Sequence, residues 1–326
     1  MRTQRLHVTR SQLRTLCRGP LLALVSLAIT VGMLVPVLVA PVAPAAAASS
    51  PGVITAIGTE NEYADVLSQI GGKYVHVSSI LNNPNTDPHT YEASPSVAQE
   101  VSAASLIVQN GVGYDTFMNK IESASPSSAR KVIVVQHLLG LPDNTPNPHL
   151  WYSPTTMPKV AKAMATALST IQPSHASYFA ADLARFDTSL GPWMSAISAF
   201  RAKYAGTTVA TTEPVADYLL TAMGLNNLTP FRFQADIMNG TDPAPQDITL
   251  EDGFFTKHQV KVFCYNEQVV SSLTSSIRLT AQHAGVPVVG VYETMPTPGY
   301  DYQTWMLAEV KAIQAAITHK VSTEHL

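Results

Sequence analysis

Short runs of apolar, largely β-branched residues recur along the chain at 53–57, 74–78, 106–109 and 131–135. A second set lies at 207–211, 260–265 and 287–292, with a weaker candidate at 228–233. Between these runs, apolar residues fall at helical spacing; Ala64, Val66, Leu67 and Ile70 form one such face. Strands alternating with helices predict βαβ units and parallel sheets. The strand runs are nearly continuous rather than alternating, as expected where helices cover both faces of a sheet. The predicted fold class is α/β, in two lobes, each a mainly parallel sheet flanked by helices.

One segment departs from this rhythm. Residues 173–205 carry Tyr178, Phe179, Leu183, Phe186, Leu190, Ile197, Phe200 and Tyr204 at three- and four-residue steps, interrupted by Gly191 and Pro192. Pro173-Ser174 reads as a helix start and Gly206 as a stop. Fully helical, Ser174 to Tyr204 would measure about 45 Å. Pro192 should bend or break it, because its ring removes a backbone donor. Lying between the two strand sets, this segment predicts a single long helix joining two lobes; one more surface helix is the alternative. The expected organisation is a leader at 1–48, an N-terminal lobe at 49–172, a linking helix at 173–206 and a C-terminal lobe at 207–326.

The leader rests on charge and side-chain size. Arg2, Arg5, Arg10, Arg14 and Arg18 precede residues 21–35, which hold neither charge nor proline, and Ala45 to Ala48 follow. Basic, then apolar, then small is the order of an export signal peptide, cleaved here near Ala47 or Ala48. An uncleaved membrane anchor is the other reading. Cys17 precedes the apolar run and so cannot carry a lipoprotein's lipid. The expected location is therefore exported, periplasmic or extracellular. Removing 1–48 takes away five arginines and no acid, and the net charge moves from −3 to −8. That balance argues against nucleic acid as a partner. With 46 % hydrophobic and 13 % charged residues, disorder is excluded. Cys264 then remains as a lone cysteine in an apolar run, best read as a small buried hydrophobe.

Candidate chemistry lies at strand ends. Asp87-Pro88-His89-Thr90-Tyr91-Glu92 follows the second strand, and Asn147-Pro148-His149-Leu150-Trp151 follows the fourth. In the second half, Thr212-Glu213-Pro214 and Tyr292-Glu293-Thr294 directly follow strands. Open α/β sheets bind ligands beyond the carboxyl ends of their strands. Two histidines from one lobe would then face two carboxylates from the other, a donor set suited to a divalent transition metal. Each residue also has an ordinary reading. A loop histidine is commonly a surface group, and Glu213 before Pro214 could serve a helix start. Composition and periodicity leave both open. Asn266, Glu267 and Gln268 follow another strand and could line the cleft or orient a carboxylate. His76, His175, His258, His283 and His319 read as surface or strand-face residues.

The segments 87–92 and 148–154, the Gly285-Val286-Pro287-Val288 approach to Glu293, and Tyr302-Gln303-Thr304-Trp305-Met306 together resemble the zinc/manganese-type solute-binding proteins of metal ABC transporters. The resemblance spans roughly residues 52–318. It implies two α/β lobes joined by one long helix, with a single Zn2+ or Mn2+ ion held between them. It also implies a monomer that delivers this ion to a membrane permease and is not an enzyme. By matching positions it implies His89, His149, Glu213 and Glu293 as ligands. Glu293 stands where the family more often has aspartate, and the histidine-rich loop of many zinc members is missing. Glu213 and the missing loop lean toward the manganese pattern, whereas zinc binds nitrogen/oxygen sites more tightly; zinc is favoured, with manganese close behind. A metal-dependent hydrolase using the same cluster, with Glu267 as general base, is the rival from another class. A binder of organic metal chelates, or an adhesin role added to metal binding, would keep the same two-lobed fold.

Overall fold

The computed structural model describes residues 52–85 and 87–326, so the leader expected at 1–48 lies outside the described residues. In chain order the first half contains β1 (Ile54–Glu60), α1 (Asn61–Gly71), β2 (Val75–Leu81), α2 (Pro95–Ala103), β3 (Leu106–Gln109), α3 (Thr116–Ala124), β4 (Lys131–Val134), α4 (Val135–Leu138) and α5 (Thr156–Ile171). Two helices follow nearly end to end, α6 (Ala176–Ser189) and α7 (Gly191–Tyr204). The second half contains β5 (Thr208–Thr211), α8 (Asp217–Ala222), β6 (Asn226–Asn227), α9 (Phe231–Met238), α10 (Pro245–Thr256), β7 (Phe263–Asn266), α11 (Ser272–His283), β8 (Val288–Val291) and α12 (Tyr302–His319).

Two four-stranded sheets result, ordered β2-β1-β3-β4 and β6-β5-β7-β8, with every pairing parallel. Side-chain alternation sends Ile54, Ala56, Leu106 and Val108 to one face of the first sheet, against Val66, Leu67 and Ile70 of α1 and Met157, Val160 and Met164 of α5. Ile57 and Ile107 point the other way, toward Val97, Val101 and Met118 of α2 and α3. The second sheet repeats this scheme. Ala210, Phe263, Tyr265 and Val288 pack on Phe233, Phe255 and Ile277. Val209, Cys264, Val289 and Val291 face the opposite side and join the cluster that also contains α1 and α5. One continuous apolar core therefore passes through both lobes. Cys264 sits inside it, 1 % exposed, as a small hydrophobe.

The long helical segment carries that core across. Phe179, Phe186, Leu190, Trp193, Ile197 and Phe200 are all buried, and Trp193 meets the ring of Tyr302 edge-to-face at 5.8 Å. The helix bends at Leu190, directly before Gly191-Pro192, where the proline cannot return a hydrogen bond to the preceding turn.

The weak strand expected at 228–233 does not form: the two-residue β6 ends just before it and α9 begins within it. Leu228 N–H still bonds to Val209, but Pro230, whose fixed φ suits a helix entry, turns the chain into α9 one residue later. Along the free side of β8 runs a short extended piece. Thr323 N–H donates to Val288 O at 2.9 Å, and Gly290 N–H donates to Thr323 O at 2.9 Å. Among the described residues no helix is long and apolar enough to cross a membrane.

Candidate metal centre

Glu213 and Glu293 directly follow β5 and β8, whereas the first lobe delivers its pair on longer, proline-stiffened loops, His89 after β2 and His149 after β4 and α4. Asp87 caps the turn that carries His89, accepting its backbone N–H at 2.8 Å. Asn147 does the same for His149 at 3.0 Å. The Asn147 side chain also donates to Pro214 O at 2.7 Å, which fixes its amide orientation and places Oδ1 against His149 Nδ1 at 2.9 Å. Since Oδ1 only accepts, Nδ1 must carry the proton. The Nε2 of neutral His149 then presents a bare lone pair.

That lone pair points at Glu293. His149 Nε2 lies 3.3 Å and His89 Nε2 3.1 Å from the same oxygen, Glu293 Oε2. These three ligand atoms are mutually within 4.8 Å. His149 and Glu293 are fully buried, while the His89 ring keeps 22 % exposure at the rim. Glu213 is buried too, but it stands outside this tight trio and is linked to it through Asn266. The Asn266 amide donates to Glu213 Oε1 at 3.1 Å and to Glu293 Oε1 at 2.7 Å. Glu213 Oε2 is buried with no hydrogen-bond partner. Such an orphaned acceptor is costly unless a cation or proton satisfies it.

Electrostatics sharpen the picture. Burial opposes the Glu293 charge, yet the charge that His89 carries when protonated holds its carboxyl well below the ordinary range. Burial, then the Glu293 charge, pushes Glu213 well up. Burial pulls His149 down, toward the neutral form a metal requires. At His89 burial is the largest single effect and works in the same direction, but the Glu293 charge, its hydrogen bond and the Asp87 charge together outweigh it and the net shift is upward. Among the described residues no lysine or arginine forms an ion pair with either glutamate. The donor set is two imidazole nitrogens and two carboxylates without a fixed positive partner, and it fits a divalent ion.

Three neighbours complete the site. Tyr114 hydroxyl donates to Glu293 Oε2 at 3.0 Å. It is delivered by a left-handed turn in which Gly111, Val112 and Gly113 have φ of 81°, 55° and 80°. For the β-branched Val112 this is a strained conformation, held by its N–H bond to Gln136 Oε1 at 2.6 Å. Sequence reasoning missed Tyr114; the Gly-Val-Gly-Tyr string after a strand was the available signal. Asn266 and Gln268 line the cleft, and Gln268 Oε1 accepts the backbone N–H groups of Glu293 and Thr294 at 2.6 and 2.8 Å. Glu267 does not line it. Strand alternation turns its side chain to the opposite face, where Oε2 lies 3.7 Å from His325 Nδ1, so it cannot act as a base on the cluster.

Both lobes are tied at the seam beside the site. Asn61 on α1 pairs with Met295 in both directions, donating to its O at 2.8 Å and accepting its N–H at 2.9 Å. Tyr152 hydroxyl donates to Tyr292 O at 2.9 Å, and Tyr302 hydroxyl donates to Trp151 O at 2.6 Å.

Comparison with known proteins establishes the family and the fold. Residues 57–316 match the family described as ZnuA, zinc-uptake complex component A, periplasmic, and the chain belongs to that family. It is 26 % identical over 127 residues to the manganese-binding lipoprotein MntA of Bacillus subtilis, covering 37 % of this chain and 41 % of that one. It is 29 % identical over 140 residues to the zinc-binding protein TroA of Treponema pallidum, covering 41 % and 44 %. These alignments thus span less than half the length of either relative. The solved structure of the periplasmic zinc-binding TroA superimposes with a TM-score of 0.69 at 18 % identity, over 83 % of this chain and all of that one. Two parallel sheets with flanking helices and a long bent helix are the shared fold. The family consists of solute-binding proteins rather than enzymes, and the hydrolase alternative finds no support.

Proposed function

We propose that this chain is an exported solute-binding protein that captures one divalent transition-metal ion between its lobes and hands it to the permease of an ABC-type importer. His89 and His149 supply neutral imidazole nitrogens, and Glu293 and Glu213 supply carboxylate oxygens. The observation that carries this reading is the 3.3 Å contact between His149 Nε2 and Glu293 Oε2. With the imidazole neutral, two acceptors face each other in a dry site, an arrangement that needs a cation between them. Four protein ligands close the coordination sphere, as in a holding site rather than a catalytic one. Zinc is the favoured ion, since it outcompetes manganese at nitrogen/oxygen donors.

In this reading the lobes span 49–172 and 207–326, residues 1–48 direct export, and the protein works as a monomer. The test is metal analysis of the purified protein beside His89→Ala and Glu213→Ala. One ion per chain is expected in the parent, with loss or a large drop in both variants. Unchanged stoichiometry in both would overturn the ligand assignment.

A further inference from the structure

Resting on that reading, we infer that Asn266 is a specificity-determining residue: its single amide group engages one oxygen of each ligand carboxylate, leaves the other to face the ion, and so selects a four-coordinate ion. An NH2 group has two hydrogens. Here one serves Glu213 Oε1 at 3.1 Å and the other Glu293 Oε1 at 2.7 Å. The opposite amide orientation is ruled out, because Asn266 Oδ1 accepts the Gln268 N–H at 3.0 Å and would otherwise face two carboxylates. The residue itself is 1 % exposed, and its backbone N–H bonds to Thr212 Oγ1 at 2.9 Å, so it cannot swing away.

The oxygens that Asn266 does not hold are Glu293 Oε2, which both imidazoles face and which also accepts the Tyr114 hydroxyl, and Glu213 Oε2, which is buried and has no partner. An Oε1 that already accepts an amide hydrogen keeps one lone pair but is held in the direction of Asn266, so turning either carboxylate to chelate through both oxygens would stretch or break that buried hydrogen bond. The site therefore offers two nitrogens and two single oxygens. Zinc accepts four such ligands in a tetrahedron. Manganese prefers six, largely oxygen, and loses most when chelation is blocked. The carboxylates alone would suit either ion; the amide between them makes the difference.

The test compares the parent protein with Asn266→Ala, which frees both Oε1 atoms, and with Asn266→Ser, which is smaller but keeps one donor. Competitive titrations with Zn2+ and Mn2+ should show the zinc-over-manganese ratio falling about tenfold in Asn266→Ala, the scale of one lost hydrogen bond. Asn266→Ser should fall between. With Co2+ as probe, the intense visible absorption of a tetrahedral ion in the parent should weaken in Asn266→Ala as coordination number rises. An unchanged ratio together with an unchanged Co2+ spectrum, in protein that still binds metal, overturns the role of Asn266 alone. Failure of the parent to bind either ion overturns the metal-binding reading and this inference with it.

Discussion

His149 and His89 share an oxygen but not an environment, and their titrations should separate. His149 is fully buried, and its charged form is disfavoured; His89 sits at the rim beside Glu293, whose charge holds the proton on. A metal must displace that proton, so affinity is full where His89 is neutral and declines as pH falls through its raised value. The decline should begin above the pH of about 6.5 at which an ordinary imidazole titrates. Titrations between pH 8 and pH 5 check this; an affinity flat across that range would contradict it. At the same oxygen, Tyr114→Phe removes the hydroxyl that orients Glu293 and should weaken metal binding about tenfold, with thermal stability little changed.

Much of this was legible in the residues. His89, His149, Glu213 and Glu293 stand out because a functional side chain follows a strand, with a stiffening proline beside three of them. Tyr114 was only faintly legible: the two glycines of Gly-Val-Gly-Tyr mark a turn after the strand, but where that left-handed turn aims the ring is set by the backbone. Glu267 was misplaced because an apolar run does not reveal which side of a strand each residue takes; a one-residue offset reverses the face.

Elements meet backbone to backbone where β1 passes under α1. A Cβ added at Gly58 would lie 2.2 Å from the backbone nitrogen of Ala64. Gly58→Ala must therefore push α1 off the sheet, and α1 carries the Asn61 pairing with Met295. Overpacking of this kind typically costs about 1–3 kcal/mol. Stability in urea and metal affinity should both drop, whereas a stable variant with normal affinity would show that α1 shifts freely. At this scale the bend at Pro192 could be read in advance, because proline acts on the backbone wherever it falls. The edge strand β6 could not. Two residues leave no periodicity, and the helix start at Pro230 outweighs the apolar character of Leu228 and Phe231.

Across the whole molecule, stability should depend in part on two buried acids outside the ligand trio. Glu251 and Glu309 are each pushed up to about 8 from 4.5, chiefly by burial. Between those pH values the folded chain binds more protons than the unfolded one, so stability falls as pH rises. Each group contributes a slope of about 1.4 kcal/mol per pH unit in that window. Glu309→Gln keeps an acceptor for Trp305 Nε1 and Tyr152 hydroxyl, and should flatten the slope and stabilise the protein at pH 8. Urea denaturation at pH 5 and pH 8 measures both effects. The two-lobed plan was legible from strand spacing. The shared core was not, because contacts between distant segments leave no local pattern.

Parallel sheets end in strands whose outer backbone groups are open to any extended peptide. On the second sheet the outer rim of β8 is already occupied by Ser322 and Thr323, which take up Val288 and Gly290. The opposite rim, β6, is two residues long. A foreign peptide therefore finds one berth filled by the molecule's own backbone and the other too small to dock against. The sheet that presents the acidic half of the cleft is thus guarded against stacking into fibres, even in a crowded compartment.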